Sequence, residues 1–149
     1  MLLSVHATVG AIIGENVNTP LLAFVLAFIS HFILDIIPHG DKELIKAYRN
    51  DFKNKAMLYL IYFDLVTTPI LLGLLFYSGH ITYSRTVLWG IIGGILPDIL
   101  VAIHEISDKL FSRTHKFHNW THERFKWSIP LKFGIIVQII LIYLILRYQ

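Results

Sequence analysis

Four apolar stretches, Leu21 to Ile37, Met57 to Ser78, Leu88 to Ile106 and Ile129 to Leu146, constrain this 149-residue chain more than any other feature. Each comes close to the roughly 20 residues that a helix needs to cross a bilayer. Composition points the same way, with 55% hydrophobic and 15% charged residues, far from the balance of a soluble domain. The expected fold is all-α: one membrane-embedded domain, residues 1–149, built as a bundle of four to five transmembrane helices. The uncertainty in number lies in a shorter apolar stretch, Leu2 to Gly14, which as a helix reaches only about 20 Å and either crosses a thinned membrane or lies half inserted. It lacks the basic leader of a signal peptide, and His6 interrupts it.

Basic residues orient the bundle. Loops 38–56 and 107–128 carry Lys42, Lys46, Arg49, Lys53, Lys55, Lys109, Arg113, Lys116, Arg124 and Lys126, whereas the other side holds Arg85 and Arg147. The positive-inside rule makes the two rich loops cytoplasmic, in a protein of the cytoplasmic membrane. The net charge of +3 is thereby explained by orientation and anionic lipid rather than by nucleic acid, for which no motif is present. Within the first loop Leu44, Ile45, Tyr48 and Phe52 recur at helical spacing against Lys42, Lys46, Arg49 and Lys53, the pattern of an interfacial amphipathic helix. With no cysteine in the chain, disulfides and thiolate metal sites are excluded.

Ionisable residues inside the apolar stretches are the second constraint. His31, Asp64 and Asp98 each lie about 10 to 12 Å below the cytoplasmic boundary at 1.5 Å per residue. His6 falls in the same layer, and Asp35 sits one helical turn nearer the surface. An isolated charge at such depth costs roughly 2.5 to 3.5 kcal/mol, so residues placed at one depth are expected to meet. His31 and Asp35, four apart, share a helix face and can grip one ion or two neighbouring ions. Imidazole with carboxylate suits zinc, manganese or iron better than calcium or magnesium. His118 and His122 form a second pair four apart, without the glutamate of a metalloprotease helix. They lie in a segment read as a polar interfacial loop anchored by Phe117, Trp120, Phe125 and Trp127. His39 and Asp41, following the helix-ending Pro38, are candidates to close over the site or to contribute further ligands. Gly93 and Gly94 invite another helix close to Asp98, and Gly10 and Gly14 do the same on the first segment. His104, Glu105 and Asp108 are placed at a solvated helix end, with His115 in a loop.

The apolar helix "VHATVGAIIG", the pair in "SHFILD", the Gly-rich "GGILPD" segment and the late cluster ending in "TH" resemble the YdjM-like family of small inner-membrane proteins described as metal-dependent hydrolases. That family is distantly similar to zinc-dependent phospholipases C and P1-type nucleases, helical enzymes that hold zinc with His and Asp. The resemblance implies His6, His31, Asp35, Asp98 and a residue of the pair His118 and His122 as ligands of a divalent metal, most simply zinc. Asp64 is then a ligand or the catalytic base. It also implies hydrolysis of a phosphoester, with a phospholipid of the cytoplasmic leaflet as a substrate within reach. Two other readings fit the same residues: metal or proton transport, and a non-catalytic scaffold stapled by metal.

Overall fold

In the computed structural model the described residues are 1–40, 55–107, 109–123 and 129–147, except the side chains of residues 122 and 123. They form six helices and no strand: α1 Leu3–Glu15, α2 Pro20–Asp35, α3 Lys55–Tyr77, α4 Arg85–Ile106, α5 Ser112–Glu123 and α6 Leu131–Arg147. Two of them, α3 and α4, are long and apolar enough to cross a membrane; α1 and α2 are apolar but shorter. At 16 residues α2 reaches about 24 Å. The Thr19 hydroxyl, accepting from the Leu22 N–H at 3.3 Å, and Pro20 fix its start. At its other end the Ile36 and Ile37 N–H groups turn back to carbonyls three residues earlier, just before Pro38. The amphipathic segment around residues 42–53, with Asp41, lies outside the described residues.

The first helix is not peripheral to the bundle. It forms the centre, packed against α2, α3, α4 and α6, with Val5, Ala7 and Ala11 fully buried. Small residues allow this. A methyl on Gly10 would collide with the Gly90 carbonyl, and one on Gly14 would sit 2.6 Å from the Val87 Cα. Gly94 lies against the His6 carbonyl, and Gly93 against Phe24 of α2. The glycines read from the sequence as close-approach positions are therefore the seams along which α1, α2 and α4 meet. Gly73 of α3 faces open space by contrast. We expect Gly10→Ala to destabilise the protein by about 1 to 3 kcal/mol through overpacking. Gly73→Ala should stabilise it by roughly 0.5 to 1 kcal/mol through helix propensity. Thermal unfolding of both variants in detergent checks the opposite signs.

The two ends of the bundle differ in kind. Ala11, Leu75, Ile81 and Val87 close one end with apolar side chains. The other, where α1, α3 and α6 begin and α2 and α4 end, contains nearly all the buried polar groups. The segment expected as a loop around His118 is instead helical over Ser112–Glu123 and packs on α2 and α4. No proline or glycine breaks it, and Phe117 seats on Phe32 with ring centroids 4.8 Å apart.

Candidate metal centre

Five predicted side chains come together where α1, α2, α4 and α5 meet. His31 Nε2 is 3.1 Å from Asp35 Oδ2 and 3.6 Å from Asp98 Oδ1. His118 Nε2 lies 3.2 Å from each of the same two oxygens. His6 Nε2 is 3.2 Å from the other oxygen of Asp35, and its ring stacks on His31 with centroids 3.8 Å apart. Two overlapping groups, His6 with His31 and Asp98, and His31 with Asp35 and His118, have ligand atoms all within 4.8 Å of one another. The side chains of His6, His31 and Asp35 are sealed, while that of Asp98 is 26% exposed and opens the cluster to the outside.

The His31 tautomer follows from a hydrogen bond. Its Nδ1 is 2.8 Å from the Gly94 carbonyl, which can only accept, so Nδ1 carries the proton. That carbonyl is one residue on from the Gly93 carbonyl, which Pro97 leaves without its helical N–H. The His31 Nε2 lone pair is left facing two carboxylate oxygens, buried and with no hydrogen-bond partner among the described residues. Three acceptors turned toward each other in an apolar interior repel unless positive charge lies between them. One source of such charge is a proton. Burial disfavours a charged His118, but the Asp35 and Asp98 carboxylates outweigh it and push its pKa up to about 9. A divalent cation is the other, and these donors fit it: neutral imidazole and carboxylate, with a second partner fixing the imidazole orientation.

Asp64, expected as a ligand or the base, stands apart. The first residues of α1 lie level with Asp64, nine residues past Lys55 and so about 13 Å into α3. A helix that starts inside a bundle brings unsatisfied N–H groups with it. Asp64 accepts from the Leu3 and Ser4 N–H groups, one oxygen each, and from the Thr68 hydroxyl at 3.4 Å. Its negative charge suits the positive end of the helix dipole. Gln138 of α6 completes the cap, accepting from the Leu2 N–H at 2.7 Å and donating to the His39 carbonyl at 3.3 Å. Sequence reasoning passed over Gln138; a lone amide in an otherwise apolar run was the available signal. Asp64→Ala strands the buried Ser4 N–H and the part-buried Leu3 N–H, at about 1 to 3 kcal/mol for a fully buried group. Asp64→Asn keeps one acceptor and turns a donor toward the other N–H, so it should recover at most half of that loss, as compared by thermal unfolding.

His39 is buried beside the cluster rather than in it. Its Nδ1–H donates to the Ile37 carbonyl at 2.6 Å, and its Nε2 lies 3.0 Å from the Met1 ammonium, which is itself 2.8 Å from Asp35 Oδ1. The side chain of His122 and all of Asp41 lie outside the described residues. His115, expected in a loop, is on α5 beside His104, with ring centroids 4.3 Å apart, and its Nε2 is 3.1 Å from Glu105. This half-buried group joins α4 to α5 without entering the cluster. Comparison with protein-family models, curated proteins and solved structures yields no match.

Proposed function

We propose that this protein is a membrane-embedded, metal-dependent hydrolase acting on a phosphoester, with a phospholipid of the cytoplasmic leaflet as the substrate class. The observation that carries the metal reading is the His31 Nε2 lone pair, buried and aimed at two carboxylates. The membrane reading rests on the outer faces of α2, α3 and α6. Leu21, Ile33, Tyr62, Phe63, Ile139 and Tyr143 are each 59 to 73% exposed, a surface that lipid tolerates and water does not. In this reading α3 and α4 cross fully, and α2 and α6 line the bundle around α1. The cluster faces the Lys- and Arg-rich side, the cytoplasmic one by charge.

A bound divalent cation supplies water activated near neutral pH and neutralises phosphate charge. The chain does the rest. The Gly94 carbonyl holds the His31 ring in one orientation, and the stacked His6 ring backs it. Asp98 is the member of the cluster that meets the outside, so an incoming substrate oxygen and a departing proton pass its carboxylate. Asp64, held by the start of α1, is not needed as the base in this reading.

The scaffold reading has one observation in its favour. The cluster ties four helices together with little exposed surface, as a structural metal would. Transport is less well supported, because the spans carry almost no ionisable residues on the side away from the cluster.

The experiment is a screen of phosphoester substrates, phospholipids in mixed micelles included, with zinc- or manganese-loaded protein beside His31→Ala. Turnover that needs metal and falls at least about a thousandfold in the variant supports the hydrolase. Equal activity in both refutes it. Bound metal with no turnover on any substrate favours the scaffold.

A further inference from the structure

We infer that the cluster holds one divalent cation, bound by His31, Asp35, His118 and Asp98, and that His6 positions Asp35 from behind instead of binding the ion. This rests on the metal reading above and specifies its stoichiometry and ligands.

Four donor atoms form a ring. His31 Nε2 to Asp35 Oδ2 is 3.1 Å, Asp35 Oδ2 to His118 Nε2 is 3.2 Å, His118 Nε2 to Asp98 Oδ1 is 3.2 Å, and Asp98 Oδ1 back to His31 Nε2 is 3.6 Å. An ion with bonds of about 2.0 to 2.2 Å places neighbouring donors roughly 2.9 Å apart at right angles and up to about 3.6 Å apart in a tetrahedron. Every side of the ring falls in that interval, so each pair of neighbouring donors can share an ion; His31, Asp35 and His118 lie close enough together to hold it, and Asp98 Oδ1 adjoins both histidines.

A pair of ions about 3.5 to 4 Å apart would need the donors divided between them. His31 prevents an even division. It belongs to both overlapping groups, yet its Nδ1 proton is given to Gly94, leaving one lone pair and therefore one ion. An ion placed at His6 would have Asp35 Oδ1 within 3.2 Å, while His31 and Asp98 already serve the ring.

His6 itself has the geometry of an outer partner. It meets Asp35 at Oδ1, whereas Oδ2 faces the ring. Its ring stacks nearly parallel on that of His31, at 24° with centroids 3.8 Å apart, so it packs as a neighbour of the ring that binds. A histidine N–H on the second oxygen of a ligating carboxylate orients that carboxylate, and losing such a partner typically weakens metal binding 10- to 100-fold.

The test uses the full chain in detergent, loaded with zinc, with metal counted by plasma mass spectrometry and affinity measured by competition with a chromophoric chelator. Wild type should hold one zinc per chain, His31→Ala none. His6→Ala should still hold one, bound about 10- to 100-fold more weakly. His6→Gln, whose amide can donate to Asp35, should recover most of the affinity. Two zinc ions per wild-type chain would overturn the single-ion assignment, and a monodisperse His6→Gln that binds none would overturn the role given to His6. X-ray absorption of the zinc-loaded wild type needs no variant: two imidazoles in the first shell are expected, and three would exclude the outer position of His6. Wild type without any metal would remove the metal reading itself, and this inference with it.

Discussion

Asp35→Ala is expected to have the largest effect of any single substitution, abolishing metal retention through purification. Asp35 is the hub of the cluster. Its two oxygens lie within 3.2 Å of His6, His31 and His118, and its side chain is wholly buried. Removing one partner from a buried charged network costs about 3 to 5 kcal/mol. On the affinity scale that is two to four orders of magnitude in the dissociation constant for zinc. Asp35→Asn keeps the shape and loses the charge, so it should fall nearly as far. Competition titration of the three proteins checks this, and an Asp35→Asn affinity within tenfold of wild type would show that the carboxylate charge does not hold the ion.

On the proposed metal site, stripping zinc from the loaded protein with a chelator should lower the melting temperature by roughly 8 to 16 °C. A ligand present at a thousandfold its dissociation constant stabilises by about 4 kcal/mol, and a chain of this size shifts by about 2 to 4 °C per kcal/mol. The effect should widen with pH. In the metal-free protein the His118 pKa is raised from 6.5 to about 9 beside Asp35 and Asp98. The stability this contributes is fully present below pH 6.5 and is lost as pH rises through about 9. Metal binding displaces the same proton and so strengthens over that interval. The gap between loaded and stripped protein is therefore smallest near pH 6.5 and largest near pH 9. Following tryptophan fluorescence during heating at both pH values measures it, and a gap that narrows with pH would contradict the assignment of His118 as a ligand.

Much of the helical layout was legible because apolar runs in this chain stop at recognisable signals. Met57 to Ser78 became Lys55–Tyr77 and Leu88 to Ile106 became Arg85–Ile106, while Pro38 follows an end that the backbone respects. Depth along a helix is also readable, since it counts residues from a boundary, and depth brought His6, His31 and Asp98 into one layer. Rotation about the helix axis is not readable in segments apolar on every side. That is why Asp64, at the right depth, could not be told from the cluster residues. It points toward the start of α1, some 60 residues away in sequence. Gln138 was hidden for the same reason, its partner Leu2 being 136 residues distant. Helix α5 was missed because its polar sequence carries no apolar periodicity. Its structure comes from contacts with α2 and α4, which no local pattern encodes.

The central position of α1 has a consequence for how the molecule comes into being. The ribosome makes this helix before any of the helices that enclose it, and its cap is supplied by α3 and, last, by α6. Until Gln138 arrives, the Leu2 N–H has no acceptor from the bundle. The side-chain cap on α1 is therefore complete only once α6 has been made. Chains cut short before α6 would leave the amide at the start of α1 without its side-chain acceptor, so the last helix made completes the first.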